Sequence, residues 1–262
     1  MHQRGLSRAF TVVVSIHLGE GVDQPVSAPT CLRVLSYNIR SLRDDKAAVT
    51  RVIQAAQPHV VCVQEAPRFA RWRSRAAWLA RQSGLVVAGG GRPAAGNLLL
   101  CDLAVRVHRT AVIRLSPRRG THRRGAAVAV CSLAGHRFAV VGTHLDLAAG
   151  DRLRHVHELF ARLHEVLRDD SLPVVLAGDI NELPTGQTFA VMASRLSDTF
   201  AVAGTGPGET YSSTEPVRRI DGIFADRRLV TRSCRVLDGA DVALASDHRP
   251  VVAEIEFDHL PQ

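Results

Sequence analysis

The chain has 262 residues, of which 46% are hydrophobic and 22% charged, a composition that excludes both a disordered and a membrane-embedded protein. No apolar run approaches the roughly 18 residues that a membrane-spanning helix needs. The formal charge is +8, which attracts polyanions and phosphate-bearing molecules but says nothing about fold. Lys46 is the only lysine, so the charge is nearly all arginine. GC-rich coding gives the same Arg- and Ala-rich style, and charge alone therefore selects no partner.

The first thirty residues form an extension. Arg4 and Arg8 precede the apolar stretch Phe10–Ile16, which faintly resembles an export signal, but the stretch is short and lacks a small-x-small cleavage site. It reads as a poorly ordered extension of a cytoplasmic protein, with secretion as the alternative. Five scattered cysteines without a CxxC pair argue for a reducing compartment and against structural zinc.

From Cys31 the chain alternates with little slack. Leu32–Ile39 predicts a strand, Asp45–Ala56 a helix with Ala48, Val49, Val52 and Ile53 inward, and His59–Gln64 a second strand. Trp72–Gln82 predicts a helix ended by Gly84. Strands follow at Leu85–Ala88, Asn97–Cys101, Val105–Leu115, Ala126–Leu133 and Phe138–Thr143. Asp151–Arg168 is an amphipathic helix with Leu153, Val156, Leu159, Phe160, Leu163 and Leu167 on one stripe. Strand Val174–Ala177, a short helix near Gly186–Ser194, and strands Arg219–Phe224, Leu229–Leu237 and Pro250–Phe257 complete the chain. Several adjacent strands are joined too tightly for a parallel crossover, which predicts an α/β fold of packed mixed sheets with helices outside. Residues 31–262 read as one domain, with no repeat and no linker.

The polar residues worth explaining stand at strand ends. Asn38 ends the first strand and Glu65 the second, and two oxygen donors at the ends of successive strands can share one hard cation; magnesium needs only one or two carboxylates. Gly142-Thr143-His144-Leu145-Asp146 closes another strand, with His144 and Asp146 able to point to one side. Gly178-Asp179-Ile180-Asn181 follows an apolar run. Asp221, in Arg219-Ile220-Asp221, can orient an imidazole as a buried carboxylate does in a triad. Ser246-Asp247-His248-Arg249-Pro250 precedes the last strand. Each has a plainer reading: a turn residue for Asn38 or Asn97, a solvated strand end for Glu65, a loop histidine for His144 and a surface ion pair for Arg219 and Asp221.

Taken in order, Tyr37-Asn38-Ile39, Gln64-Glu65, Thr143-His144-Leu145-Asp146, Gly178-Asp179-Ile180-Asn181, Arg219-Ile220-Asp221 and Ser246-Asp247-His248-Arg249-Pro250 resemble the motifs of the endonuclease/exonuclease/phosphatase family. The match spans roughly residues 31 to 257. The resemblance implies a DNase I-like four-layer α/β sandwich, two packed mixed β-sheets flanked by helices. It implies Glu65 as principal Mg²⁺ ligand (Mn²⁺ able to substitute), with Asn38 and Asp247 beside it. It implies that Asp179 orients or deprotonates the attacking water and that Asn181 positions that water or a phosphate oxygen. His248 would contact the scissile phosphate with Asp221 bonded to it, and His144 would give a proton to the leaving oxygen. Asn97, Arg124 and Asp146 would contact substrate.

This set suits phosphodiester hydrolysis, which needs charge neutralisation, a placed water and a proton for the departing alkoxide. Within the family, Leu145-Asp146 stands where the repair branch carries Pro-Asn. Aromatics are 5% of the chain, which makes stacking platforms for single strands scarce. The basic loop Pro117–Arg124 reads either as a phosphate grip or as a solvated hairpin tip. No apolar hairpin or amphipathic surface helix suggests a lipid substrate, and no Gly-x-Ser-x-Gly elbow suggests a serine hydrolase. The expectation is a monomeric, Mg²⁺-dependent phosphodiesterase or phosphatase without integral membrane association, acting first on DNA or RNA. The alternatives are a sphingomyelinase- or inositol-phosphate-like phosphoesterase and an inactive basic module that only binds phosphate.

Overall fold

Strands rich in Val, Leu, Ile and Ala and apolar on both faces are stable only when both faces are covered. The computed structural model describes residues 31–118, 120, 122–168 and 171–257. The expected extension over residues 1–30 lies outside the described residues, as do Arg119 and Thr121 of the basic loop and residues 258–262.

The elements run β1 (Cys31–Asn38), α1 (Lys46–Ala56), β2 (Val60–Gln64), α2 (Trp72–Gln82), β3 (Val86–Gly91), β4 (Asn97–Cys101), β5 (Arg106–Arg114), β6 (Gly125–Leu133) and β7 (His136–His144). There follow α3 (Ala149–Leu167), β8 (Val174–Asp179), α4 (Gln187–Arg195), β9 (Ser197–Asp198), α5 (Thr199–Ala203), β10 (Gly204–Thr205), β11 (Asp221–Ala225), β12 (Val230–Val236), α6 (Ala240–Ala245) and β13 (Val251–Glu256). A seven-stranded sheet has the order β10-β12-β13-β1-β2-β4-β3, and a six-stranded sheet the order β5-β6-β7-β8-β11-β9. Both are mixed: β1 is parallel to β2 and antiparallel to β13, while β7 is parallel to β8 and β8 antiparallel to β11.

Three buried clusters mark three interfaces, and so four layers. Leu32, Val34, Leu99, Phe138, Val140 and Ile255 pack between the sheets. Leu35, Tyr37, Val61 and Leu100 cover the outer face of the seven-stranded sheet against Val49, Ile53 and Leu79 of α1 and α2. Val128, Val141 and Leu176 do the same on the six-stranded sheet, against Val156, Leu159 and Leu163 of α3 and Met192 of α4. The two-residue alternation along β1 divides its side chains between the first two clusters.

The expected helices and long strands are all present, with small shifts at their ends. Asp45 caps α1, its carboxylate accepting from the Ala47 and Ala48 amides, so the helix starts at Lys46. In α3 the stripe holds at Val156, Leu159, Leu163 and Leu167, while Asp151, Arg152 and His155 are buried beside it. Strand β11 opens at Asp221, two residues later than the expected Arg219. The short elements α5, α6, β9 and β10 have no counterpart in the sequence reading, because two to six residues carry too little periodicity to register. At Gly178 a Cβ would lie 2.1 Å from the Thr143 carbonyl oxygen, so only glycine lets β7 and β8 approach this closely one residue before Asp179. No described helix is long and apolar enough to cross a membrane.

Candidate active site

Register brings the polar strand ends to one edge of both sheets. On the seven-stranded sheet, Asn38 sits opposite Gln64, so Glu65 lies one residue beyond it, and Leu98 pairs with Val63, which puts Asn97 at the same edge. On the six-stranded sheet, His144 is in register with Asp179, Asp221 with Asp179, and Gly125 with His144. Asp247 and His248 arrive on the approach to β13, next to β1.

The two halves meet at Asp179. Its Oδ2 accepts from Asn38 Nδ2 at 3.0 Å, across the sheet interface, and its Oδ1 accepts from the Asn181 amide at 3.0 Å. His144 Nε2 lies 3.3 Å and His248 Nε2 3.7 Å from Asp179 Oδ2. His248 Nδ1 is 2.9 Å from Asp221 Oδ2. Burial, then the neighbouring Asp221 carboxylate, push the Asp179 carboxyl up from the usual range. Burial opposes the charged form of His248, but the carboxylates of Asp221, Asp179 and Asp247 outweigh it and raise this imidazole well above its ordinary value. Burial, with the positive charge of Arg124, pushes His144 the other way and keeps it neutral.

Asn181 supports that assignment. Its Nδ2 donates to the Leu145 carbonyl at 3.1 Å and points at His144 Nε2 at 3.0 Å, which makes Nε2 an acceptor and the ring neutral. Backbone strain collects here too. Asn181 and Glu65 both hold positive φ, 57° and 51°, a conformation that asparagine tolerates and glutamate adopts at a cost of roughly 1–2 kcal/mol.

The remaining residues frame this core. Arg124 is largely buried; its Nε has no hydrogen-bond partner among the described residues and lies 3.9 Å from Asp146 Oδ2. Burial lowers its pKa against the pull of Asp179, Asp146 and Glu65, which places the guanidinium among the site's carboxylates. Asp146 also accepts the Ala148 amide at the start of α3. Asn97 donates to the carbonyls of Ala94 and Gly125, both at 2.8 Å, tying one sheet to the other, while its Oδ1 is buried without a partner among the described residues. Arg219 forms no surface pair with Asp221: it is held by Asp198 at 3.0 and 2.6 Å, with Phe189 and Phe200 facing its guanidinium. Arg118 of the basic loop reaches Asp151 at 2.9 Å.

Two groups of donors suit a cation. Asp179, Asp221 and His248 bring ligand atoms within 4.8 Å of one another, although each is already engaged with a neighbour. Asn38, Glu65 and Asp247 are all oxygen donors, as hard cations require. Asn38 Oδ1 accepts only the Arg40 amide, the half-buried Glu65 carboxylate has no hydrogen bond or ion pair among the described residues, and Asp247 Oδ2 faces Arg40 Nε at 3.4 Å. An orphaned carboxylate beside a carboxamide and a second carboxylate fits a divalent ion.

Sequence reasoning missed three positioning residues. Thr210 is fully buried and its hydroxyl accepts from the amides of Ile220 and Asp221, fixing the start of β11. Tyr211 sets its ring 5.0 Å from that of His248. Ser246 donates to the Asn38 carbonyl at 2.7 Å and accepts the His248 amide. Ser246 stands inside the Ser246–Pro250 motif and Tyr211 is the one tyrosine of the stretch Thr210–Ser213 ahead of Arg219, but no local signal assigns any of the three its positioning role.

A family model described as the Endonuclease/Exonuclease/phosphatase family matches residues 35–248. No curated protein matches the chain. Among solved structures it resembles a mannosyl-6-phosphatase of Bacteroides thetaiotaomicron (18% identity, TM-score 0.74, covering 86% of this chain and 99% of that one). It also resembles the catalytic domain of human Nocturnin (20%, 0.68, 87% and 93%). A third is Danio rerio TDP2 complexed with a single-strand DNA product (15%, 0.66, 86% and 99%). At these identities the structures establish the shared fold, while the family model covers the strand-end residues from Asn38 to His248. The chain belongs to the endonuclease/exonuclease/phosphatase family of phosphoester-hydrolysing enzymes.

Proposed function

We propose that this protein is a magnesium-dependent phosphodiesterase that cleaves nucleic acid by in-line attack of water. The observation that carries the reading is Asp179: a buried carboxylate at the junction of two sheets, with its pKa raised and two histidines against one of its oxygens. A general base works best when its pKa lies near the working pH, and burial moves this carboxyl in that direction.

Glu65, Asn38 and Asp247 hold the divalent ion, Mg²⁺ or Mn²⁺, which when bound supplies Lewis-acid stabilisation of charge on the phosphoryl oxygens. Asp179 orients the water and takes its proton, and Asn181 fixes that water or a phosphate oxygen. His248, kept cationic by Asp221, donates to the scissile phosphate; such preorganised donors to developing charge are often the largest single contribution. His144 is neutral at rest and must gain a proton before it can give one to the leaving oxygen, and Asp179 at 3.3 Å is the group that hands it over. Arg124, with its unmatched Nε, grips substrate, while Asn97 and Asp146 hold the Gly125 backbone and the Arg124 side chain in place.

The test is hydrolysis of bis-p-nitrophenyl phosphate and of supercoiled plasmid with Mg²⁺, Mn²⁺ or EDTA, beside His248→Ala. Metal-dependent nicking that disappears in the variant is expected. Diester hydrolysis without nicking would move the substrate to small or lipid phosphoesters, and inactivity on both would sink the proposal.

A further inference from the structure

A second polar region lies just beyond Glu65. Phe69, Ala70, Arg71, Trp72 and Arg73, together with Arg92 from the 3₁₀ turn Arg92–Ala94, line a cleft of about 360 Å³. That volume falls within the range of small-ligand sites. Phe69 follows Glu65 by four residues, and four residues span at most about 14 Å, so the cleft adjoins the catalytic mouth. Arg68 stands between them: it donates to the Ala95 carbonyl, and its charge acts on both His144 and Arg124.

The cleft's lining is basic. Arg71, Arg73 and Arg92 have no ion pair among the described residues, and no acidic side chain lines the cleft. The arrangement also works against local stability. Arg71 occupies the position before α2 with φ 58° and makes no capping hydrogen bond, and Arg73 adds positive charge to a first turn that favours acids. Residues that oppose their local environment in this way point to function rather than stability.

The aromatic residues narrow the ligand. Phe69 is 81% exposed, while Trp72 is fixed: a Cβ on Gly91 would come within 2.5 Å of its ring, and Arg73 stacks on it at 4.5 Å. Unpaired guanidinium groups bind phosphate oxygens, and an exposed ring beside them takes a planar base. We infer that this cleft is a binding subsite for a nucleotide of single-stranded nucleic acid whose neighbouring phosphodiester lies at Asp179 and His248. The inference rests on the phosphodiesterase reading and deepens it by naming the substrate. Its concave shape favours a strand over a membrane, which would call for a protruding apolar surface.

The test separates binding from cleavage. Affinity for a short fluorescein-labelled single-stranded deoxyoligonucleotide is measured by anisotropy in EDTA across a salt series, for the wild type, Phe69→Ala and the double variant Arg71→Gln/Arg92→Gln. Turnover of bis-p-nitrophenyl phosphate with Mg²⁺ is followed in parallel. The double variant is expected to bind at least about tenfold more weakly, with the slope of log K against log salt reduced by about 0.7 for each arginine removed. Phe69→Ala should lose about tenfold with an unchanged slope, and diester turnover should stay at the wild-type value in both. Unchanged oligonucleotide affinity and slope in the double variant would overturn the inference. So would a loss confined to binding of phosphatidylcholine/phosphatidylserine vesicles, which would make the cleft a lipid contact. Oligonucleotide binding through the cleft without cleavage would leave the subsite standing and remove the nuclease reading. Diester turnover without oligonucleotide binding would overturn the subsite and leave the diester chemistry standing, with small or lipid phosphoesters as its substrate.

Discussion

The groups of the six-stranded sheet at the mouth, together with His248 from the approach to β13, form a closed half, buried and committed: His144 to Asp179 and Asn181, Asp221 to His248, and Asp179 to the buried Asn38 of the other sheet. On the seven-stranded sheet Glu65 and Asp247 are half-buried, and Glu65 has no hydrogen bond or ion pair among the described residues. The difference follows from what each half must do. Groups that move protons need fixed neighbours that shift and hold their pKa values, and burial provides these. Groups that take up an ion need free oxygens and an entry path, which the open half keeps.

Breaking the closed half should have the largest effect. Asp179→Asn or His248→Ala is expected to lower kcat on a diester by about 10²–10⁴-fold, the usual range for losing a positioned acid or base, with an unchanged far-ultraviolet circular dichroism spectrum. Full activity in either variant would remove that residue from the mechanism. Changing the open half should look different. Mg²⁺ or Mn²⁺ should raise the unfolding midpoint of the wild type, because a ligand that binds only the folded state stabilises it, and Glu65→Ala should abolish that shift. Excess cation should then restore part of the lost turnover. If Asp221→Asn abolishes the shift and Glu65→Ala does not, the ion belongs to the Asp179, Asp221 and His248 group instead.

Arg219 and Asp198 are buried together and bidentate, with side chains 13% and 8% exposed. Removing one partner leaves the other's charge buried and unpaired, so Arg219→Met should cost about 3–5 kcal/mol in urea unfolding. A loss under 1 kcal/mol would mean that water reaches Asp198. Because Asp221 follows Arg219 by two residues, the folded fraction of this variant also reports whether the β11 entry keeps Asp221 on His248.

How much of this was legible in the sequence depended on the distance over which each signal acts. Asn38, Glu65, His144, Asp179 and Asp221 stand at the ends of short apolar runs that read as buried strands, so strand geometry alone put each at a strand end. The junction itself was not legible: Asn38 and Asp179 are 141 residues apart, and nothing local says that one sheet faces the other there. The same limit hid Thr210, which acts on Asp221 only after the loop between them folds back. It also hid the cleft, whose Arg92 comes from another element than Phe69 and Trp72. Asn97 and Asp146 were placed at the right edge, but their partners, Gly125, Ala148 and Arg124, emerged only from the packing.

The smallest expected effect concerns the support of the closed half. Glu182 follows Asn181 directly, binds Arg152 of α3 at 3.0 Å and accepts the Thr188 and Phe189 amides at the start of α4. Burial alone would raise its carboxyl, yet Arg152 and those amides outweigh burial and hold it below the ordinary glutamate value. The unfolded chain therefore binds this proton more readily than the folded one. The stabilisation is complete above the unfolded glutamate pKa of about 4.3 and is lost as pH falls through the lower folded value. Glu182→Gln should cost about 1–3 kcal/mol at neutral pH and flatten the acid limb of the stability curve, as urea unfolding at a series of pH values would show. If the acid limb keeps the wild-type slope, the Asn181 loop is anchored by something other than Glu182. The two His144 contacts would then owe their geometry to the β7–β8 register alone.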